Sequence, residues 1–323
     1  MKPIRIRMLV FALVAAACLS APVQAQSTAK MLAGFPPGGD VDILARILAE
    51  KWSEAIGRPV VVENKAGAGG LIAMEALKAA RPDGNTLIVA TDTSMVLYPH
   101  TVAKLAYNSL ADFVGIAHAG SYNFGLAIST KVPAETLAEF VAWAKANPKE
   151  SSFASSVAGS SRQFYGQMIA QQTGAPLTPV PYRGVAPSVA DLAAGHIPAA
   201  VLPIGSILPQ MRNGKVRLLA HAGSKRTAAA PDVPTFKELG YPALEQANWY
   251  GIFGPAGMSP DMVAKLHEIF QQAMRAPVIK ERMEKLDLEI EAMSPAQFAA
   301  MIKADFEQRG KMVKASGWDP SKH

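Results

Sequence analysis

Three short stretches combine glycine with hydroxyl or proline residues where an apolar run gives way to a helical pattern. The first is G-F-P-P-G-G-D over residues 34–40, which holds Phe35, Pro37, Gly38 and Gly39. The second is S-S-V-A-G-S-S over 155–161, with Ser155, Ser156, Gly159 and Ser161. The third, V-P-Y-R-G-V-A-P over 180–187, carries Tyr182, Arg183, Gly184, Ala186 and Pro187. Backbone N–H groups at a strand-to-helix junction lack intrahelical partners, and the helix dipole adds positive potential, so such places attract anions. Each stretch also has a purely structural reading: glycine for a turn, Ser160 or Ser161 as an N-cap, Arg183 as a solvated surface group. If an anion rests on the N–H groups of Gly38 and Gly39 and on the loop near Gly184, backbone shape outweighs charge, and Gly39 is where a positive dihedral matters. Thr91 and Asp92 close another apolar run. Asp92 either faces the ligand, repelling a second carboxylate and welcoming an ammonium, or caps its own loop from Thr91 to Ser94.

Other chemistries find less support. A strand followed by the glycine-rich residues 64–70 is reminiscent of a dinucleotide-binding turn, but after Gly67 and Gly69 the third glycine of that pattern falls on Ile72. His100, His118, His196, His221 and His267 show no metal-ligand spacing, and neither a G-x-S-x-G elbow nor H-E-x-x-H occurs. The acids Glu281, Glu284, Asp287, Glu289 and Glu291 read as a solvated helical surface. No catalytic residue, metal site or cofactor is expected, and an exported hydrolase is the weaker alternative.

The elements that must position these loops follow from the apolar periodicity. Residues 1–25 form a leader: Lys2, Arg5 and Arg7 precede the apolar run from Met8 to Leu19, and Val23-Gln24-Ala25 offers a cleavage site before Gln26. Removing it takes away three cations, no acid and the single cysteine, Cys18, so the formal charge falls from +6 to +3 and thiol chemistry is excluded. Lipidation at Cys18 is the competing reading of the leader. Such a weak, dispersed positive charge gives no reason to expect nucleic acid as a partner. Beyond the leader, strands are expected at 29–35, 59–63 and 85–90, with helices at 41–56 and 71–80; in the first helix Ile43, Leu44, Ile47, Leu48 and Trp52 share a face. The alternation resumes with strands at 125–129, 152–155, 177–181 and 199–202 and helices at 135–146, 162–172 and 188–194. Helices close the chain at 262–274, 278–286 and 295–312. Strand–helix alternation of this kind implies mostly parallel sheets in two α/β units.

Taken in order, G-F-P-P-G-G-D-x-D-I-L-A-R, P-V-V-V-E-N-K-A-G-A-G-G (59–70), R-P-D-G-N-T-L (81–87), V-P-Y-R-G-V-A-P, D-L-A-A-G (191–195), P-D-V-P-T (231–235) and N-W-Y-G-I-F-G-P-A-G (248–257) resemble the Bug family of periplasmic binding proteins. The resemblance covers essentially the whole mature chain. It implies a type II periplasmic-binding fold: one α/β domain from 26–122 and 246–323, a second from 123–245, and a ligand cleft between them. It also implies a monomeric, non-catalytic protein of the periplasm that takes a small carboxylate through residues 35–39 and 182–187 and passes it to the membrane subunits of a tripartite tricarboxylate transporter; a sensing receptor without a transporter is the alternative. The chain departs from the pattern at Arg162-Gln163, where relatives often carry histidine, at Pro198, and at the acidic Asp92. Trp249 either reports closure of the two domains or packs in a static core.

Overall fold

The computed structural model describes residues 28–322. The leader and its cleavage site at Ala25 lie outside the described residues. The chain builds two five-stranded sheets. In the first, β1 (Ala29–Ala33) is flanked by β2 (Val60–Asn64) and β3 (Thr86–Thr91), both parallel to it, and β10 (Asn248–Pro255) and β4 (Phe113–Tyr122) complete the order β2-β1-β3-β10-β4. In the second, β6 (Ser152–Ser155), β7 (Thr178–Pro181) and β8 (Ala199–Pro203) are parallel, and β5 (Phe124–Ser129) and β9 (Val216–His221) complete β7-β6-β8-β5-β9.

The sheets are mixed rather than mostly parallel, and the reason lies in the crossings. Strand β4 runs into β5 through Asn123 alone, so the chain enters the second sheet directly from the first. Strand β10 brings it back between β3 and β4. Neither has a helical crossover onto its neighbour, which parallel pairing requires; β10 is antiparallel to β3 and β4, and β5 to β8 and β9. All eight residues of β10 are buried, as a central strand covered on both faces demands.

Helix α1 (Asp40–Ile56) buries Val41, Leu44, Ala45, Leu48 and Trp52 and ends in the left-handed Gly57. Ile43, expected on that face, is 38% exposed because the buried stripe centres on Val41 and Leu44. Helices α2 (Leu71–Lys78) and α3 (Tyr98–Thr101) follow in the first lobe; α4 (Leu137–Ala146), α5 (Ser161–Thr173), α6 (Val185–Ala194) and α7 (Ile204–Arg212) belong to the second. After the return come α8 (Pro260–Arg275), α9 (Pro277–Lys285) and α10 (Pro295–Ser316). Helix α10 starts in a capping box between Ser294 and Gln297 and drives Phe298, Ile302 and Arg309 into the first lobe. There Phe298 meets Trp249 edge-on at 5.6 Å. Trp249 donates its indole N–H to Asp305 at 2.9 Å, which settles its place: it sits in the core rather than in the cleft. No helix among the described residues is long and apolar enough to cross a membrane.

Candidate functional site

The first turns of three helices meet where the lobes face each other. Asp40 and Val41 of α1, Arg162 of α5 with its N-cap Ser160, and Val185 of α6 with its N-cap Gly184 all line one chamber of about 40 Å³. Phe35, Thr91, Thr93, Tyr98, Tyr122, Phe124 and Ser156 complete the wall. Beside it lies a larger space of about 410 Å³, termed the vestibule, which shares Phe35, Ser156 and Gly184 with the chamber and adds residues 66–69, Tyr182 and Arg183. The chamber therefore draws on both sheets, and three helix dipoles point their positive ends into it.

Its strongest charge is Arg162, only 6% exposed. The guanidinium donates to the Ser188 hydroxyl at 3.4 Å, one long bond for a group with five N–H donors. Burial lowers its pKa, with Asp40 and nearby tyrosines opposing, and an arginine remains charged through such a shift. Across the chamber stands Asp40. Tyr250 donates its hydroxyl to this carboxylate, and Tyr250 is stacked on Tyr122 with ring centroids 4.4 Å apart. Burial pushes the Asp40 carboxyl above its ordinary value, while the Tyr250 hydroxyl and Arg162 pull it back.

The loop that carries Asp40 is fixed from behind. Asp42 accepts the Gly38 N–H at 3.0 Å, binds Arg46 through both oxygens at 3.0 and 2.9 Å, and takes the Asn64 amide at 2.8 Å. Asn64 also donates to the Phe35 carbonyl. Burial alone would raise the Asp42 pKa, but the bonds from Arg46, Gly38 and Asn64 hold it below the usual carboxylate value. On the far side Gly184, at φ 126°, comes so close to Pro36 that an added Cβ would sit 3.3 Å from its Cδ. The lobes are also bonded to each other: Thr93 donates to Ser161 at 2.7 Å, and Thr101 donates to the Gly159 carbonyl at 3.0 Å.

A family model described as "Tripartite tricarboxylate transporter family receptor" matches residues 44–318. The chain belongs to this family. The receptor is 30% identical to the protein BugT of Bordetella pertussis over 94% of its own length and 95% of that protein, which places it in the Bug group. Among solved structures, MatC from Rhodopseudomonas palustris with bound malate superposes with a TM-score of 0.83 at 27% identity, over 88% of the receptor and 98% of that chain. A second R. palustris protein, with adipate, gives a TM-score of 0.86 at 25% identity, over 90% and 97%. The structural neighbours of this two-lobed α/β receptor are periplasmic binding proteins, and the family is one of binding proteins rather than enzymes. Among the described residues no group of His, Cys, Asp or Glu could hold a metal ion.

The residues singled out from sequence divide into three groups. Phe35, Thr91, Ser156 and Gly184 reach the chamber, and Tyr182 and Arg183 the vestibule, where Tyr182 donates to Asp191 at 2.8 Å and Arg183 is exposed. Gly38 and Ala186 line an adjoining cavity of about 360 Å³, which shares Asp40 and Val185 with the chamber and reaches Ile43 and Leu286. The others serve the frame: Ser155 bonds to backbone carbonyls, Gly159 donates its N–H to Gln163, Ser161 engages Thr93, and Pro37 and Pro187 are exposed. Ser160, not Ser161, caps α5. The backbone cradle at Gly38 and Gly39 takes another form than expected. The Gly38 N–H is taken by Asp42, and the positive dihedral belongs to Gly38 at φ 84°, whereas Gly39 is extended at φ −84°.

Asp92 neither faces the chamber nor caps its loop. Its buried carboxylate meets Arg309 at 3.4 Å and the Tyr122 hydroxyl at 3.4 Å, and the Ser94 N–H goes to Thr91 instead. Conversely, Arg162 was visible in sequence only as a departure from a family pattern, and Asp40 only as the last residue of the first glycine-rich stretch. An ionisable residue in the first turn of a helix that follows a glycine-rich junction is the signal that marks both.

Proposed function

We propose that the receptor captures a small carboxylate in the periplasm and delivers it to the membrane subunits of a tripartite tricarboxylate transporter. The observation that supports this most directly is the convergence of three helix N-termini on a chamber whose buried arginine is almost unpartnered. An anion there gains charge-assisted bonds from Arg162 and favourable dipoles without having to break a competing ion pair. Malate and adipate in related proteins agree with a carboxylate. In this reading residues 26–122 with 246–323 and residues 123–245 are the two domains. They close on the ligand, Gly184 approaching Pro36 and Ser161 joining Thr93, and the carboxylate is held by Arg162, Ser156, Ser160 and the α6 N-terminus.

The test is a thermal-shift screen of carboxylic acids, since a ligand that binds only the folded state raises Tm with concentration. A cognate acid is expected to raise Tm in the wild type and to bind about 10- to 100-fold more weakly in Arg162→Gln, the range for a lost hydrogen bond to a charged group. Absence of any stabilising acid, or undiminished affinity in Arg162→Gln, refutes the proposal. Delivery is tested separately, by uptake of that acid in cells that carry the transporter's membrane subunits with and without this receptor.

A further inference from the structure

The chamber holds two opposite charges, and carboxylate capture uses only one of them. Arg162 comes from α5 in the second lobe and Asp40 from α1 in the first, and both line the same space of about 40 Å³. They act on each other across it, and no direct ion pair joins them among the described residues. Each retains bonding capacity. Arg162 spends one N–H on Ser188, and Asp40, which accepts the Tyr250 hydroxyl and backbone N–H groups of its own turn at Asp40 and Val41, keeps acceptor capacity on a carboxylate that offers about four positions.

We infer that the ligand is a zwitterion, an amino carboxylate whose acid group binds Arg162 and the helix ends while its ammonium binds Asp40. This deepens the carboxylate-receptor reading and rests on it. A purely anionic ligand would leave Asp40 as an uncompensated like charge in a small enclosed space, where repulsion is poorly screened. A dicarboxylate would bring in a second negative charge beside it. An ammonium removes both penalties, because it donates to the free acceptor positions of Asp40 and neutralises the site together with the carboxylate on Arg162. The rings of Phe35, Tyr98, Tyr122 and Phe124 wall the chamber, and aromatic faces attract a cation. Volume agrees with this division. The chamber has room for the charged head of an amino acid, and the side chain leaves past Phe35, Ser156 and Gly184 into the vestibule of about 410 Å³.

A competing role for the same pair is a latch that draws the lobes together whatever the ligand, and the experiment separates the two. The standard L-amino acids are screened by thermal shift against wild-type protein. The one that stabilises most is then titrated calorimetrically beside its 2-hydroxy and desamino analogues, with succinate and adipate as dicarboxylate probes. The amino acid is expected to bind the wild type about 10- to 100-fold more tightly than its desamino analogue. Asp40→Asn should erase that preference and leave the desamino acid bound as before or better. A wild type that prefers the desamino acid or a dicarboxylate overturns the inference, and this comparison needs no variant to fold. Equal weakening of every probe in Asp40→Asn also overturns it, in favour of the latch. Failure of the underlying reading looks different: no acid of either kind binds, or Arg162→Gln leaves all affinities unchanged.

Discussion

Two arginines are equally hidden in this receptor, Arg162 at 6% exposure and Arg309 at 4%, and their surroundings differ. Under helix α10, Arg309 donates to Asp305 at 3.2 Å and to Asp92 and the Ala247 carbonyl at 3.4 Å each. Its acids have further partners, Trp249 on Asp305 and Tyr122 on Asp92. In the cleft, Arg162 has Ser188 and then open space. Burial therefore does not distinguish a structural charge from a binding one; the number of satisfied donors does. A complete network fixes a core, and an incomplete one at the wall of a cavity leaves bonds for a ligand.

The comparison can be broken at the core. Arg309→Leu would leave Asp92 and Asp305 without their cation, and breaking a buried pair by removing one partner costs on the order of 3–5 kcal/mol. Chemical denaturation measures it. A loss comparable to that of Arg162→Gln in the absence of ligand would erase the distinction drawn between the two sites, since Arg162 has little native bonding to lose.

A smaller effect comes from pH. Burial, against the attraction of Arg309, pushes the Asp92 carboxyl up to about 7. A group whose folded pKa is raised stabilises the protein fully below its unfolded value, near 3.9, and that contribution is lost as pH rises through about 7. Wild type should therefore lose stability relative to Asp92→Asn between those values, by an amount on the order of a few kcal/mol. A difference that stays flat with pH would show that Asp92 is ionised throughout and that the core pair is tighter than its geometry implies.

The mildest change sharpens the description of the cleft wall. Gly38→Ala places a side chain at φ 84° with nothing within 4 Å, so its cost is purely conformational, about 1–2 kcal/mol. Gly39→Ala, at φ −84° with only the Pro36 carbonyl at 3.7 Å, should change stability by less than about 0.5 kcal/mol. Reversal of that order in thermal unfolding would mean that the loop is not held as Asp42 and Asn64 hold it here.

Much of the scaffold was legible in the chain. The strand at 152–155 appears with the bounds expected, and helix α8 spans Pro260–Arg275 where 262–274 was expected, because alternation and caps are local signals. What could not be read is set by distant partners. Strands β4, β9 and β10 and helices α3 and α7 escaped notice, and the antiparallel halves of the sheets depend on where β5 and β10 enter, which no local pattern records. The same holds for charge. Asp92 closes an apolar strand much as a site residue would, but Arg309, over two hundred residues later, claims it. Trp249 belongs to the core because Asp305 and Phe298 meet it there.

The three helix ends that meet in the chamber have one more consequence. Their dipoles and N–H groups come from main chain and are indifferent to side-chain identity, while the two charges on the chamber wall, Asp40 and Arg162, are single residues in first turns whose side chains are tied to the Tyr250 and Ser188 hydroxyls. General affinity for acids and choice among acids are thus separable properties of the molecule. On the proposed function, a receptor built this way is re-addressed to another acid by exchanging one or two first-turn residues, with the sheets and the strands that cross between them left as they are.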